Sequence, residues 1–157
     1  MFSIYRLNKM HETIVQEVIV EANSDLVFKE LLMWGESLWW PKKSLIQFCN
    51  LSGEIGEKTI YFQKVKLPFG PMWHTRNEVI DSQNFYIKRV FLDGLFTGSG
   101  ELKVLPQTGS TCQVVYTFHY GVKGFLNRVM WKAAFKRLHI KNIDLILQSL
   151  KTYLEKR

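Results

Sequence analysis

The stretch GFLNRVMWKAAFKRLHIKNIDLILQSLKTYLEKR, Gly124–Arg157, decides the fold. It holds no proline and, after Gly124, no glycine, so nothing in it interrupts a helix. Ile143, Ile146, Leu147, Leu150, Tyr153 and Leu154 recur at helical spacing and form one apolar stripe. A helix of roughly 30 residues is about 45 Å long, enough to cross a small sheet. The stripe changes side along the way. At about 100° per residue, Leu126, Met130, Ala133, Ala134 and Leu138 lie together, with Arg128, Lys132, Lys136 and His139 opposite. Continued without a break, the later Ile143/Ile146/Leu147/Leu150 stripe falls on the basic side, a swing far larger than ordinary heptad drift. This predicts a bend, a break or a change of packing partner between His139 and Asn142. Segment 125–138 is then either a bent helix with a solvated basic face or a flap at a cavity mouth. In the second case Arg128, Lys132 and Lys136 would meet an anionic ligand or membrane.

Upstream of the helix the period changes from helical to alternating. From Ser44 to Tyr120, short runs separated by turn residues predict strands at 44–51, 57–66, 73–81, 85–92, 95–105 and 111–121. Asp93-Gly94 between Leu92 and Leu95 is a two-residue hairpin signal. It would set Phe91 against Phe96 and Arg89 against Gly98. Phe96, Gly98, Gly100, Leu102 and Val104 then share one face, as do Cys112, Val114, Tyr116, Phe118 and Tyr120. Consecutive hairpins make an antiparallel meander. Before it, the β-branched run Thr13–Ala22 predicts a strand, Asn23-Ser24-Asp25 starts a helix, and Trp34–Trp40 predicts a second short helix ended by Pro41.

Composition narrows the class. The chain has 157 residues, 46% hydrophobic, 22% charged and 14% aromatic, which excludes disorder and predicts one domain over 1–157 with an N-terminal extension at 1–12. Two cysteines, Cys49 and Cys112, make neither a disulfide scaffold nor a zinc site and fit a reducing compartment. No apolar run reaches the roughly 18 residues of a membrane span. Met1–Met10, with Arg6 and Lys9, lacks a signal peptide's apolar stretch, so a cytoplasmic location is expected. Net charge is +7, and residues 123–157 carry nine basic side chains against two acidic, while the rest of the chain carries twelve of each. A neutral body with a basic end, lacking distributed phosphate contacts and stacking platforms, argues against nucleic acid.

The chemistry-bearing residues are few. His11, His74, His119 and His139 fall in no metal-ligand spacing, no nucleophilic triad is evident, and Gly98-Ser99-Gly100 lies mid-strand, where glycine serves curvature or close approach. No catalytic residue set and no cofactor or metal are expected. Arg89, on the face of Phe91 and Phe96, demands an anionic or hydrogen-bonding partner. Thr75 and Asn77 could sit beside it. Trp39, Trp40, Tyr61, Trp73, Phe91, Phe96, Tyr116, Phe118, Tyr120, Trp131 and Phe135 exceed what a core of this size requires, which makes them candidates for lining an amphipathic cavity.

The element order is strand, two short helices, six-stranded meander, long helix. The chain also carries Val18-Ile-Val-Glu-Ala-Asn-Ser-Asp-Leu-Val-Phe28, Leu38-Trp-Trp-Pro41, Gly53-Glu-Ile-Gly56, Gly94-Leu-Phe-Thr-Gly98, Gly109-Ser-Thr111 and Leu150-Lys-Thr-Tyr-Leu-Glu155. Together these resemble the START-like, helix-grip (SRPBCC) superfamily, most of all its polyketide cyclase/dehydrase and lipid-transport branch. The resemblance implies an α+β fold, a seven-stranded curved antiparallel sheet around the long helix, with a cavity between them for an apolar or amphipathic ligand. Three functions are compatible with it. The first is a carrier of a hydrophobic small molecule such as a lipid, quinone or polyketide-like compound, docking transiently on an anionic membrane. The second is a cyclase- or dehydratase-type enzyme, with Tyr116, Tyr120, Arg89 and His74 as acid–base candidates. The third is a protein-interaction module using the basic 123–141 segment with Trp131 and Phe135. The carrier is favoured.

Overall fold

The computed structural model describes residues 11–157. The expected N-terminal extension falls largely outside them, and Glu12 already belongs to the first strand, β1 (Glu12–Val20). Asn23 caps α1 (Ser24–Leu32), its Oδ1 accepting from the Asp25 amide at 2.8 Å. The Asn23→Ala variant is expected to lose about 1 kcal/mol of stability, read as a parallel shift of the urea transition; an unchanged midpoint would show that the cap contributes nothing. Val27, Phe28 and Leu31 are the buried face of α1.

The second short helix expected at 34–40 is not formed. The chain instead makes separate turns, with Met33, Trp34, Glu36 and Trp40 amides bonded three residues back. Gly35, at φ +94°, stops the helix, and an added Cβ there would lie 2.4 Å from the Phe48 ring. The turns gather Trp34, Trp39 and Trp40 into one aromatic cluster.

The strands β2 (Ile46–Asn50), β3 (Ile60–Val65), β4 (Met72–Asp81), β5 (Tyr86–Phe91), β6 (Phe96–Pro106) and β7 (Cys112–Val122) follow in order. With β1 they form one seven-stranded sheet in the order β1-β7-β6-β5-β4-β3-β2, and every neighbouring pair is antiparallel. The Asp93-Gly94 hairpin is longer than two residues. Arg89 pairs with Gly100 rather than Gly98, a slip of two positions. The cause is β4, which captures the loop: the Leu92 amide bonds the His74 carbonyl, and the Asp93 carboxylate accepts from the His74 amide at 2.6 Å and meets its Nδ1 at 2.7 Å. A two-residue slip preserves side-chain parity, so Arg89, Phe91, Phe96 and Gly100 still share the concave face. Gly98 is required by the neighbouring strand rather than by a helix: it sits at φ +112°, and a Cβ would meet the His119 carbonyl oxygen at 2.1 Å.

The C-terminal helix runs as α2 (Phe125–Met130), a wide π-turn (Trp131–Phe135) and α3 (Lys136–Glu155). The phase correction therefore lies at 131–135, ahead of the expected 139–142, and the helix is continuous through 139–142. A π-turn takes an extra residue per turn and rotates what precedes it. Trp131, Phe135, His139, Asn142 and Ile143 thereby line up inward. Leu126, Met130, Ala133, Ala134 and Leu138, the apolar side read from the sequence, are exposed, with Leu126 at 74% and Met130 at 51% exposure. One indole covers far more apolar area than two alanines, so Trp131 and Phe135 win the interior.

Two clusters make the core. In the larger, Ile143, Ile146, Leu147, Leu150 and Leu154 of α3 pack on α1 and on Val18, Val20, Val104, Cys112 and Val114 of the sheet. In the other, Trp131 joins Ile14, Trp73, Phe96, Phe118 and Tyr120. A hydrogen-bonded chain ties the π-turn to the sheet: Trp131 Nε1 donates to the Tyr120 hydroxyl at 3.0 Å, which donates to Glu12 at 3.0 Å, which also accepts from Lys136 Nζ at 2.6 Å. Among the described residues no helix is long and apolar enough to cross a membrane.

Candidate functional site

The curved sheet and the C-terminal helix leave two hollows on the concave face, divided by aromatic rings. The dividing wall is Trp73, Phe91 and Phe96, with ring centroids 5.5 to 6.5 Å apart. Behind it Phe118 and Tyr120 stack at 4.5 Å and fill the space under the helix.

The larger hollow, about 360 Å³, opens between the β3–β4 loop and the start of the C-terminal helix. Leu45, Ile46, Val65 and Leu95 line it from the sheet side, Leu67 and Phe69 from the loop, and Met130, Trp131, Phe135 and Leu138 from the helix. Three of its lining residues carry buried nitrogens with no hydrogen-bond partner: Trp73 Nε1, His139 Nε2 and Asn142 Nδ2. Asn142 is 4% exposed and uses its other amide atom, Oδ1, to accept from the Leu45 amide at 2.7 Å. Each unpaired buried group costs about 1–3 kcal/mol. Among the described residues His139 is the only titratable one in the lining. Packed on the rings of Phe118 at 4.8 Å and Trp131 at 5.6 Å, it is held neutral by burial, its pKa pushed down to about 4.

The smaller hollow, about 60 Å³, lies deeper and is lined by Arg89, Gln63, Thr75, Tyr116, Phe48 and Phe91, among others. The Arg89 guanidinium rests on the Tyr61 ring at 4.0 Å and donates from Nε to Asn77 Oδ1 at 2.9 Å. Among the described residues no carboxylate forms an ion pair with it. Burial pulls its pKa below the ordinary arginine value, yet guanidinium stays charged at neutral pH. Gln63 Nε2 donates to Thr75 Oγ1 at 2.6 Å, which fixes the polar wall beside it. Burial likewise raises the Tyr116 phenol. A Cβ at Gly100 would only come into ordinary contact with Tyr116, at 3.9 Å.

The structure thus distributes the sequence-derived candidates. Trp73, Phe96, Trp131 and Phe135 line the large hollow, and Thr75, Arg89, Phe91 and Tyr116 line the small one. Tyr61 and Asn77 support Arg89 from outside the hollow. Phe118 and Tyr120 are interior packing. Trp39 and Trp40 belong to the turn cluster and line neither hollow. His74 stands on the outer face with Asp93 and cannot act inside either hollow. Trp131, buried at 5%, is no contact surface for a partner. Lys136 is half-buried and committed to Glu12, which leaves Arg128 and Lys132 as exposed members of the basic stripe. His139 is not on that stripe at all. His139, Asn142, Gln63 and the β3–β4 loop were missed by sequence reasoning. The i, i+4 series Trp131, Phe135, His139, Ile143 would have revealed the inward histidine; nothing local marks the loop.

No protein-family model matches the chain, and no curated protein matches it by sequence. Solved structures do match it. The crystal structure of TTHA0849 from Thermus thermophilus is similar with a TM-score of 0.74 at 18% identity, covering 92% of this chain and 98% of that one. The Zhui aromatase/cyclase from Streptomyces sp. R1128 gives a TM-score of 0.71 at 18% identity, covering 94% and 96%. Norcoclaurine synthase from Thalictrum flavum, solved in complex with dopamine and hydroxybenzaldehyde, gives 0.66 at 15% identity, covering 100% and 95%. The chain shares the α+β helix-grip fold of these structures, a curved seven-stranded antiparallel sheet around a long C-terminal helix, as the resemblance implied.

Proposed function

We propose that this chain binds a small amphipathic molecule, apolar along most of its length, in the hollow between the sheet and the C-terminal helix. One observation carries the reading: an open hollow of about 360 Å³ whose walls are aliphatic and aromatic. Its size falls in the range of small-molecule sites. Two of the similar structures are named as a cyclase and as a synthase holding aromatic small molecules, which supports a ligand of that size for the fold. Arg89, charged and without an acid partner, supports an anionic or strongly polar ligand end reaching the deeper hollow once the aromatic wall shifts. Carriage is better supported than catalysis. The one titratable group in the large hollow is a histidine held neutral, and Arg89 and Tyr116 share a space too small for a substrate.

The test is displacement of a fluorescent apolar probe, 1-aminoanthracene, combined with native mass spectrometry of the freshly purified protein. Saturable binding is expected, and Leu138→Trp, which places an indole across the mouth, is expected to weaken it about tenfold, the order of one lost apolar side-chain pocket. Unaltered thermal melting would show that the variant is folded. Absence of saturable probe binding, together with a protein free of co-purifying mass, would refute the reading.

A further inference from the structure

The segment that lines the mouth of the large hollow has an unusual outer face. No residue of α2 is buried. Phe125 is 72% and Leu126 74% exposed, and Val129 and Met130 are about half exposed beside them. At about 100° per residue the four fall on one side of the helix, with Arg128 next to them. Lys123, Lys132 and Arg137 are exposed along the same segment, and no Asp or Glu occurs between Lys123 and Asp144. Across the mouth, the β3–β4 loop holds Phe69 fully exposed and in a left-handed conformation, φ +57°, and Lys66 is exposed at its base. A bulky residue in that backbone region is held against its intrinsic preference. Both lips of the opening therefore project large apolar side chains into water with cations around them.

We propose that this rim is a docking surface for an anionic lipid bilayer, the apolar side chains entering the acyl boundary and the flanking cations meeting the headgroups. This deepens the ligand-binding reading and rests on it for its purpose: the hollow would then open directly onto the membrane from which an amphipathic guest enters. Charge decides between occupants. A second copy of the chain would bring an identical cationic flank against this one, whereas an anionic bilayer offers apolar depth and opposite charge together. An acidic protein or nucleic acid would match the charge and leave Phe69, Phe125 and Leu126 without apolar partners.

The experiment is co-sedimentation of the full chain with vesicles of phosphatidylcholine alone and of phosphatidylcholine with one third phosphatidylglycerol. Binding to the anionic vesicles, weakened by salt, is expected. Arg128→Glu with Lys132→Glu is expected to reduce partitioning by a factor of ten or more, at about 1 kcal/mol per surface cation. Phe125→Ser with Leu126→Ser should also lower it severalfold. Neither pair lines the hollow, so both variants keep 1-aminoanthracene binding. Leu138→Trp should do the reverse, losing the probe and keeping the vesicles. No sedimentation with either vesicle, or equal sedimentation with both, overturns the proposal while leaving probe binding to judge the hollow. Concentration-dependent dimerisation abolished by Phe125→Ser/Leu126→Ser, with no vesicle binding, overturns it in favour of self-association.

Discussion

Trp131→Ala is expected to lower stability by about 3–5 kcal/mol, the usual cost of deleting a buried indole, and to lower the melting temperature by roughly 10 °C for a domain of this length. Trp131 is 5% exposed and meets Phe96 edge-on at 5.0 Å and Tyr120 at 5.2 Å. Truncation removes that packing and leaves a void that the stacked Phe118 and Tyr120 cannot close without leaving the sheet. It also withdraws the donor to the Tyr120 hydroxyl, although that hydroxyl keeps Glu12. Trp131→Phe separates the two contributions: it keeps a ring, loses the hydrogen bond and should cost clearly less, about 1–2 kcal/mol. Differential scanning calorimetry decides. A shift under about 2–3 °C for the alanine variant would mean that the π-turn is held by something other than its indole, since each kcal/mol moves the transition by about 2–4 °C.

The second large effect is a loss of stability in mild acid that belongs to His139. Its folded pKa is pushed down to about 4, against an ordinary value of 6.5, by burial among Phe118, Tyr116 and Trp131. Above pH 6.5 both states are neutral and stability does not depend on this group. Between 6.5 and about 4 the unfolded chain takes the proton and the folded chain does not, so stability falls as pH falls. Below that window both states are charged and the dependence levels off. The full loss is on the order of 3 kcal/mol, of which about 2 accrues by pH 5. The carboxylates held below their ordinary values, Glu12, Asp81, Asp93 and Glu155, act only around and below pH 4.5. The upper part of the window is thus free of them. Urea unfolding at pH 7.5, 6 and 5 should show the decline, and His139→Phe, which keeps a ring in place, should flatten it. An equal decline in the variant would assign the acid sensitivity elsewhere.

The two effects meet in one part of the molecule, and that part was the least legible from sequence. Strand positions, the cap at Asn23 and the inward face of β6 and β7 follow from alternation and turn residues, which are local properties. Arg89 was placed on the concave face through a register that was wrong by two positions and right in parity. The count of residues in a hairpin loop depends on what the loop touches, here His74 of the neighbouring strand. Parity depends only on the chain alternating its side chains. The need for a phase correction in the last helix was also visible, as an apolar stripe that changes side. Its position was not, because the choice between burying Leu126 with two alanines and burying Trp131 with Phe135 is made by the shape of the cavity the sheet offers.

What this sequence determines alone is therefore an alternating sheet, a long terminal helix, an apolar seam between them and a cationic terminal segment. Those follow from periodicity and composition, which need no knowledge of neighbours. The tertiary structure decides which rings become wall and which become filling, that His139 and Asn142 line the hollow, and that the apolar side of the first helical turns is left to the solvent. Each of these depends on distances between residues far apart in the chain, fixed only when the sheet closes over the helix and every side chain competes for the same space.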